Sequence, residues 1–439
     1  MDTTVQSILD FVEENDVKFI RLGFCDLFGM HKNIAITTNE LEEAFLDGVS
    51  FDASSIDGFL DVHESDLFLF PDPATFTMLP WRPESGRVIQ FFCNIKNPDG
   101  TPFVGDARAL LKQAIHRMEL QNLQCKIGIE SEFYLFKTDE FGVPTNTPID
   151  RGGYFDISPL DKGQDIRKEI CYHLEELGLQ VESTHHEQGY GQNEIDFRFS
   201  DPLTSADNLL IFKSVVKTVA EKNGLFASFM PKPLLTQSGS GLHINLSISR
   251  NGKNLFQQET KEEIALVESF IQGILRNISD LTLFLNSVPN SYDRLGEDKA
   301  PRYISWSHQN RSQLVRIPAS KKEKQRMELR SADSAINPYL AFALLLHAGM
   351  DGIEEGLQLT SPVNENLYSA TEDVTKELQK IPQTLEKAVA IAKQSTFNQT
   401  HLNPFVLQKF LAKKKEECTV YALAKDKTVL DQELYFPVL

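Results

Sequence analysis

The chain has 439 residues, 41% of them hydrophobic, which is enough for more than one folding unit and a sizeable core. Its formal net charge of −18 argues against nucleic acid and anionic membrane as direct partners, since both are bound through basic surface. The start after Met1 is polar, with no basic-then-apolar leader, and Cys25, Cys93, Cys125, Cys171 and Cys418 stand at no ligand spacing. They read as reduced thiols of a cytoplasmic protein, not as a disulfide frame or a zinc site.

In chain order, 5–14 has helical spacing, 18–24 alternates as a strand, Gly29 marks a turn, and 33–36 forms the next strand. Residues 87–95 make a further strand. Asn97-Pro98-Asp99-Gly100 is a dense turn signal. It sets the expected boundary between a first domain, 1–105, and a second, 106–439. Asp106 then N-caps a helix running to Glu119. Further helices are expected over 164–177, 205–222, 261–286 and 338–355. The apolar stretch 339–350 is shorter than the about 20 residues a membrane span needs, and reads as a buried core helix. Lys413-Lys414-Lys415, followed by Glu416-Glu417, reads as a solvated helix face.

Four strands carry the chemical signal, because residues i and i+2 of a strand share a face. Ile127, Ile129, Ser131, Phe133 and Leu135 share one face, which leaves Glu130 and Glu132 on the other. Ile195, Phe197 and Phe199 oppose Glu194, Asp196 and Arg198. Leu242, Ile244, Leu246 and Ile248 alternate with His243, Asn245 and Ser247. Met327 and Leu329 alternate with Arg326, Glu328 and Arg330. One wet face of an antiparallel sheet would explain any single strand. Taken together, carboxylates this close repel one another unless a cation neutralises them. Five acids and one histidine form a hard donor set that suits magnesium or manganese rather than zinc. The interleaved arginines suit a phosphorylated or carboxylate ligand. Ser238-Gly239-Ser240-Gly241 is a flexible loop before the His243 strand. In His185-His186-Glu187 adjacent histidines point to opposite sides, so at most one joins Glu187. The sequence holds neither a GxxxxGK[ST] phosphate loop nor a GxGxxG turn, so any ATP must bind by another route.

Several motifs carry a resemblance to a known family. They are FDASSIDGF from Phe51, IESEF from Ile129, GGYF from Gly152, HHE and GQNEI between His185 and Ile195, and GSGLH from Gly239. NSYDRL from Asn290, NRSQLVRIPA from Asn310, RMELRS from Arg326 and NPYLAF from Asn337 follow. In this order they resemble type I glutamine synthetases over essentially the whole chain, and the short stretch before GGYF resembles the alpha subtype. The resemblance implies an α+β fold: a small N-terminal β-grasp domain, then a catalytic domain with a mainly antiparallel curved sheet and flanking helices. It implies a homo-oligomer, a dodecamer of two stacked hexameric rings with sites shared between neighbours. The implied reaction is ligation of ammonia to glutamate at the expense of ATP, through γ-glutamyl phosphate. The implied first metal site is Glu132, Glu187 and Glu194, and the second is Glu130, His243 and Glu328. Arg294, Arg330 and Gly239 match the glutamate site. Arg311, Arg316 and Arg326 match groups that stabilise phosphates, with Asn245 and Ser247 near the nucleotide. Asp52, Ser55, Tyr154 and Glu187 match the ammonium pocket, Asp52 coming from a neighbouring subunit.

The chain departs from that pattern at named positions. The loop after Arg294 is one residue shorter than in the family, and Lys299 stands where a catalytic glutamate is expected. Glu297 or Asp298 is the candidate replacement. Ser238 replaces an asparagine that contacts glutamate, and a hydroxyl has a shorter reach than an amide. Asp61 replaces a feedback-sensing arginine. Tyr368 matches the tyrosine that is adenylylated in the beta subtype, within different surroundings, and no such modification is expected. Another amine as acceptor, or a weakly active regulatory paralogue, is the alternative these changes leave open.

Overall fold

The structure, a computed structural model, describes residues 5–80, 86–257 and 259–439. The polar start at Met1 lies outside the described residues. The helix Val5–Glu14 buries Ile8 and Val12 and leads into β1 (Val17–Cys25). There Asp26 makes the turn to β2 (His31–Thr37) by accepting the N–H groups of Phe28 and Met30 at 3.0 and 2.9 Å. β3 (Val49–Asp52), β4 (Asp66–Pro71), β5 (Thr77–Met78) and β6 (Arg87–Lys96) complete a sheet ordered β2-β1-β6-β4-β3, with β5 beside β6. β1 and β6 run parallel and the other pairs antiparallel. Ile20, Leu22, Leu67, Leu69, Ile89 and Phe91 pack beneath it as a core separate from the main one.

The turn at Asn97–Gly100 closes with the Gly100 N–H donating to the Asn97 carbonyl at 2.9 Å. Asp106 then accepts the N–H of Arg108 and starts the helix Ala107–Glu119. A second sheet follows, made of β7 (Gln124–Thr138), β8 (Pro144–Pro148), β9 (Val181–His186), β10 (Gln192–Ser200), β11 (Leu225–Ser228), β12 (Leu242–Arg250), β13 (Lys253–Asn254), β14 (Trp306–His308), β15 (Val315–Ile317) and β16 (Met327–Leu329). Its order is β14-β15-β16-β12-β7-β10-β9, with β8 and β11 on β7 and β13 on β12. Within this sheet only β14 and β15 pair in parallel among the described strands, so it is mainly antiparallel. Its apolar face meets the helices Pro202–Lys222, Lys261–Leu285 and Pro338–Glu355 in one large core.

Two expectations change. The helix 205–222 begins at Pro202, because the Asp201 carboxylate accepts the N–H groups of Leu203 and Thr204, and proline at the first position needs no N–H partner. The basic run 413–415 is not wholly solvated. It lies in the helix Pro404–Leu423, where Lys414 is buried, pairs with Glu417 at 2.8 Å and stands over the rings of Phe28 and Phe410.

The two sheets meet at a close backbone approach. Gly29, at φ +93°, has room for no side chain, since a Cβ there would lie 2.4 Å from the Ile336 carbonyl oxygen. Next to it, Asn337 caps the helix Pro338–Glu355 and donates through Nδ2 to the carbonyls of Asp26 and Leu27 at 3.0 and 3.2 Å. Gly356, in the left-handed region, ends that helix.

Candidate active site

The four strands singled out by alternation are adjacent in the order β16-β12-β7-β10. Register brings their polar residues level. Glu132 faces Glu194, Glu130 faces both Asp196 and His243, and Glu328 faces Asn245. The opposite faces of β7 and β12 are buried in the core, which fixes which side the acids take. The acid side opens into a cavity of about 410 Å³. Glu130, Glu132, Glu187, Glu194 and His243 lie in it, and Arg294, Arg311, Arg316, Arg326 and Arg330 share its wall. A second cavity, of about 250 Å³, adjoins it through Glu130, Ser183, Asp196 and Arg326, and is lined further by Lys126, Phe199, Asn245 and Ser247.

Among the described residues three groups have donor atoms within 4.8 Å of one another, and two of them lie at this cleft. One is Glu130, His243 and Glu328, the second set implied above; His243 Nδ1 lies 3.2 Å from Glu130 and 3.7 Å from Glu328. The other is Glu187 and Glu194 with His185. Glu132 lines the same cavity but stands apart from that tight group. One of its oxygens accepts the Gly241 N–H at 2.7 Å and the Gln192 amide at 3.0 Å. His185 Nε2 lies 3.1 Å from Glu187, while His186 turns away to Asp150 at 3.0 Å. Only one of the paired histidines joins Glu187, as strand geometry requires.

Electrostatics single out the same residues. Burial raises the carboxyl pKa of Glu194 well above the usual range, and Asp196, Glu132 and Glu187 push it further. Burial and Glu187 raise Glu132. Burial alone would raise Glu130, but His243, Asn245 and Arg326 outweigh it and hold that carboxyl far below its ordinary value. Burial opposes a similar lowering at Glu187, where His185, the Gln188 N–H and Lys299 prevail. Closely set oxygens with one imidazole match a hard divalent cation in donor type and number.

The arginines are held from behind. Arg330, only 2% exposed, and Arg316 both pair with the fully buried Glu328, and among the described residues the Nε atoms of both arginines have no partner. Arg326 donates to Asn245 at 2.7 Å and lies 3.7 Å from Glu130. Arg294 is buried, donating to the carbonyls of Ser331 and Arg330 at 2.9 and 3.2 Å. Gly239 and Gly241 leave it room. A Cβ on Gly239 would lie 2.7 Å from Arg294 Cγ, and one on Gly241 would lie 2.5 Å from Arg294 Nη2.

The loop after Arg294 lines the cavity through Glu297, Asp298 and Lys299. Asp298 pairs with Lys232 at 2.8 Å, and Glu297 lies 3.8 Å from Arg302. Lys299 is exposed, with Nζ 4.9 Å from the centroid of the Tyr154 ring. Tyr154 in turn stacks on Phe155 at 4.0 Å. Ser238 lines the cavity, and its carbonyl accepts the Tyr134 hydroxyl at 2.5 Å.

Asp52 and Ser55 are not among the residues lining either cavity. They are exposed on the N-terminal sheet, where Asp52 accepts from the backbone N–H and hydroxyl of Ser54 and from the Ser55 hydroxyl. Phe199 departs from its expected apolar face. The register of β10 against β7 shifts between Phe197 and Ser200, and Phe199 lines the second cavity with Lys126 Nζ 5.1 Å from its ring centroid. Sequence reasoning missed Gln192 and Ser183, which hold Glu132 and Asp196. It also missed Phe155, which sits in a turn outside any strand, while the partners of Gln192 and Ser183 are set by pairing across the sheet.

A cleft so lined suits metal-assisted phosphoryl transfer to a carboxylate substrate. Residues 16–98 match the β-grasp domain of glutamine synthetase, and 104–433 match its catalytic domain. A glutamine synthetase of Methanosarcina mazei is 46% identical over 95% of both chains, and one of Clostridium saccharobutylicum 44% identical over 95% of this chain and 96% of that one. Among solved structures, a GmaS/ADP complex superposes at a TM-score of 0.87 with 27% identity, covering 98% of this chain and 99% of that one. The Plasmodium falciparum glutamine synthetase superposes at 0.85 with 25% identity, covering 99% of both. The chain belongs to the glutamine synthetase family of glutamate–ammonia ligases, with the β-grasp and catalytic domains that the resemblance implied. The family works with ATP and divalent metals, and the alternatives of another amine or a non-catalytic paralogue are not favoured. Among the described residues, no helix is long and apolar enough to cross a membrane.

Proposed function

We propose that this cleft ligates ammonia to the side-chain carboxylate of glutamate through γ-glutamyl phosphate, giving glutamine, ADP and phosphate. The observation that carries this reading is the group Glu130, His243 and Glu328 within 4.8 Å, with Arg316 and Arg330 both anchored on Glu328. Glu328, on the short strand β16, thereby joins the cation ligands to two of the arginines of the cleft. Glu130, His243 and Glu328 would hold one divalent ion, magnesium or manganese. Glu187 and Glu194, with Glu132, would hold another. Such ions neutralise charge on the transferring phosphoryl group. His185 stands close enough to Glu187 and Glu194 to serve that second site as well.

Arg294 and Arg330, with Gly239 giving backbone access, take the carboxylates of glutamate. Arg311, Arg316 and Arg326 face the phosphates. Nucleotide enters through the second cavity, where Asn245 and Ser247 offer hydrogen bonds and the Phe199 ring offers a stacking face. Tyr154 and Glu187 flank the ammonium seat, beside Lys299. Asp52 and Ser55 reach that seat from a neighbouring copy, since in their own chain they line neither cavity. A homo-oligomer follows from this, and a dodecamer of two hexameric rings is the form we expect. The domain boundary falls near 105, after the turn at Asn97–Gly100 and just before the Asp106 cap. The cytoplasm suits all five cysteines, which are free thiols.

The test is phosphate release with ATP, glutamate, ammonium and a divalent metal. Glu132→Ala and Glu194→Ala should each abolish it while leaving the far-UV circular dichroism of wild type. Wild-type turnover in either variant removes that residue from the metal site.

A further inference from the structure

The loop after Arg294 presents its charges unequally. Glu297 and Asp298, the two acids able to replace an expected catalytic glutamate, each already have a cation, Arg302 and Lys232. Asp298 also sits at φ +49°, which fixes a tight turn directly before Lys299. From the other side, the Tyr368 hydroxyl lies within hydrogen-bond reach of the Lys299 carbonyl and, at 2.8 Å, of the Arg311 carbonyl. The backbone at Lys299 is therefore held against the Arg311 loop. Its exposed side chain ends 4.9 Å from the Tyr154 ring centroid, and Lys299, Tyr154 and Glu187 line the same cavity.

An ammonium group over an aromatic face, with a carboxylate in the same pocket, has the recognition chemistry of a small cation site. We propose that the Lys299 side chain is a tethered cation seated at Tyr154 beside Glu187, in the place where substrate ammonium binds, and that it sets how much ammonium the enzyme requires. This rests on the ligase reading of the cleft given above. Free ammonium competes with a cation that never leaves by diffusion, only by rotation of its own side chain. A neutral nucleophile has no such competitor, because it does not need the anionic and aromatic seat.

The experiment uses the full-length assembled enzyme with ATP, glutamate and metal. KM is measured for ammonium and for hydroxylamine, which is uncharged near neutral pH, in wild type, Lys299→Met and Lys299→Arg. Methionine keeps the length without the charge, and arginine keeps the charge over the ring. Lys299→Met should lower the ratio of the ammonium KM to the hydroxylamine KM by about threefold or more, the scale of one cation–π contact. Lys299→Arg should keep the wild-type ratio. An unchanged ratio in Lys299→Met overturns the inference. A loss of kcat with both nucleophiles at an unchanged ratio also overturns it and makes Lys299 part of the chemical step. If wild type forms no hydroxamate, the ligase reading itself falls, and this inference with it. Hydroxamate formation with an unmoved ratio sinks the inference alone.

Discussion

Arg294 shows how much of the cleft depends on what a side chain is denied. Glycines 239 and 241 pass within a Cβ's reach of it, and its guanidinium is spent on the carbonyls of Arg330 and Ser331. Gly241→Ala would push directly on Nη2 and shift the guanidinium. An ångström of misplacement costs about 10²-fold in well-oriented reactions, so we expect the glutamate KM to rise at least about tenfold. Steady-state kinetics in glutamate measure it, and an unchanged KM would take Arg294 out of the glutamate site. At this scale the sequence was informative wherever a strand alternates. Glu130, Glu132, Glu194, His243 and Glu328 share one side of the sheet because their neighbours are core residues. Grouping was harder to read. Glu132 is drawn toward Gly241 and Gln192, while His185 takes a place beside Glu187. Those distances come from pairing between strands far apart in sequence. Phe199 was misread because a bulge in β10 breaks the alternation, and a bulge leaves no mark in the letters of an alternating run.

At the scale of elements, helices with a side-chain cap were legible to within a few residues, Asp106 and Asn337 among them. What such helices pack against was not legible. The helix Pro338–Glu355 carries His347 into a junction with the helices Ala107–Glu119 and Thr396–His401. There Arg117 Nη1 lies 3.2 Å from its Nδ1, and the His401 ring stacks on it at 4.4 Å. Burial, then His401 and Arg117, lower its pKa from 6.5 to about 3, although Asp351 nearby acts the other way. The folded state thus refuses a proton that the unfolded chain accepts. The stability this provides is complete above 6.5 and is lost as pH falls from there toward about 3. His347→Gln, which cannot take up that proton, should show a smaller drop in melting temperature between about pH 7.5 and about pH 5.5 than wild type. Parallel drops in the two proteins would mean that other groups carry the acid response.

On the scale of the whole molecule, the chain leaves work undone. Asp52 and Ser55 are exposed in the N-terminal domain, and Phe155, which lines the cavity, continues with Ile157 and Tyr172 into an adjoining apolar surface more than half exposed at each residue. Both features are accounted for if neighbouring copies complete each site. Asp52→Ala and Arg330→Ala should then each be nearly inactive alone. Mixed and reassembled, they should recover a measurable fraction of wild-type turnover, because some interfaces pair an intact Asp52 with an intact Arg330. Mixed assemblies of verified composition with no recovered activity would place Asp52 outside the site.

β7 is an unbroken strand of fifteen residues, and its parity governs where this chain can change in length. One residue inserted ahead of Glu130 within that strand would turn the acids into the core and bring Ile129 to the metals. Two would restore the faces but carry every side chain one pair along its partners. The loop after Arg294 is under no such arithmetic, because it answers to no ladder of hydrogen bonds. Drift in length is therefore steered to that loop. The floor beneath can change its letters only one for one.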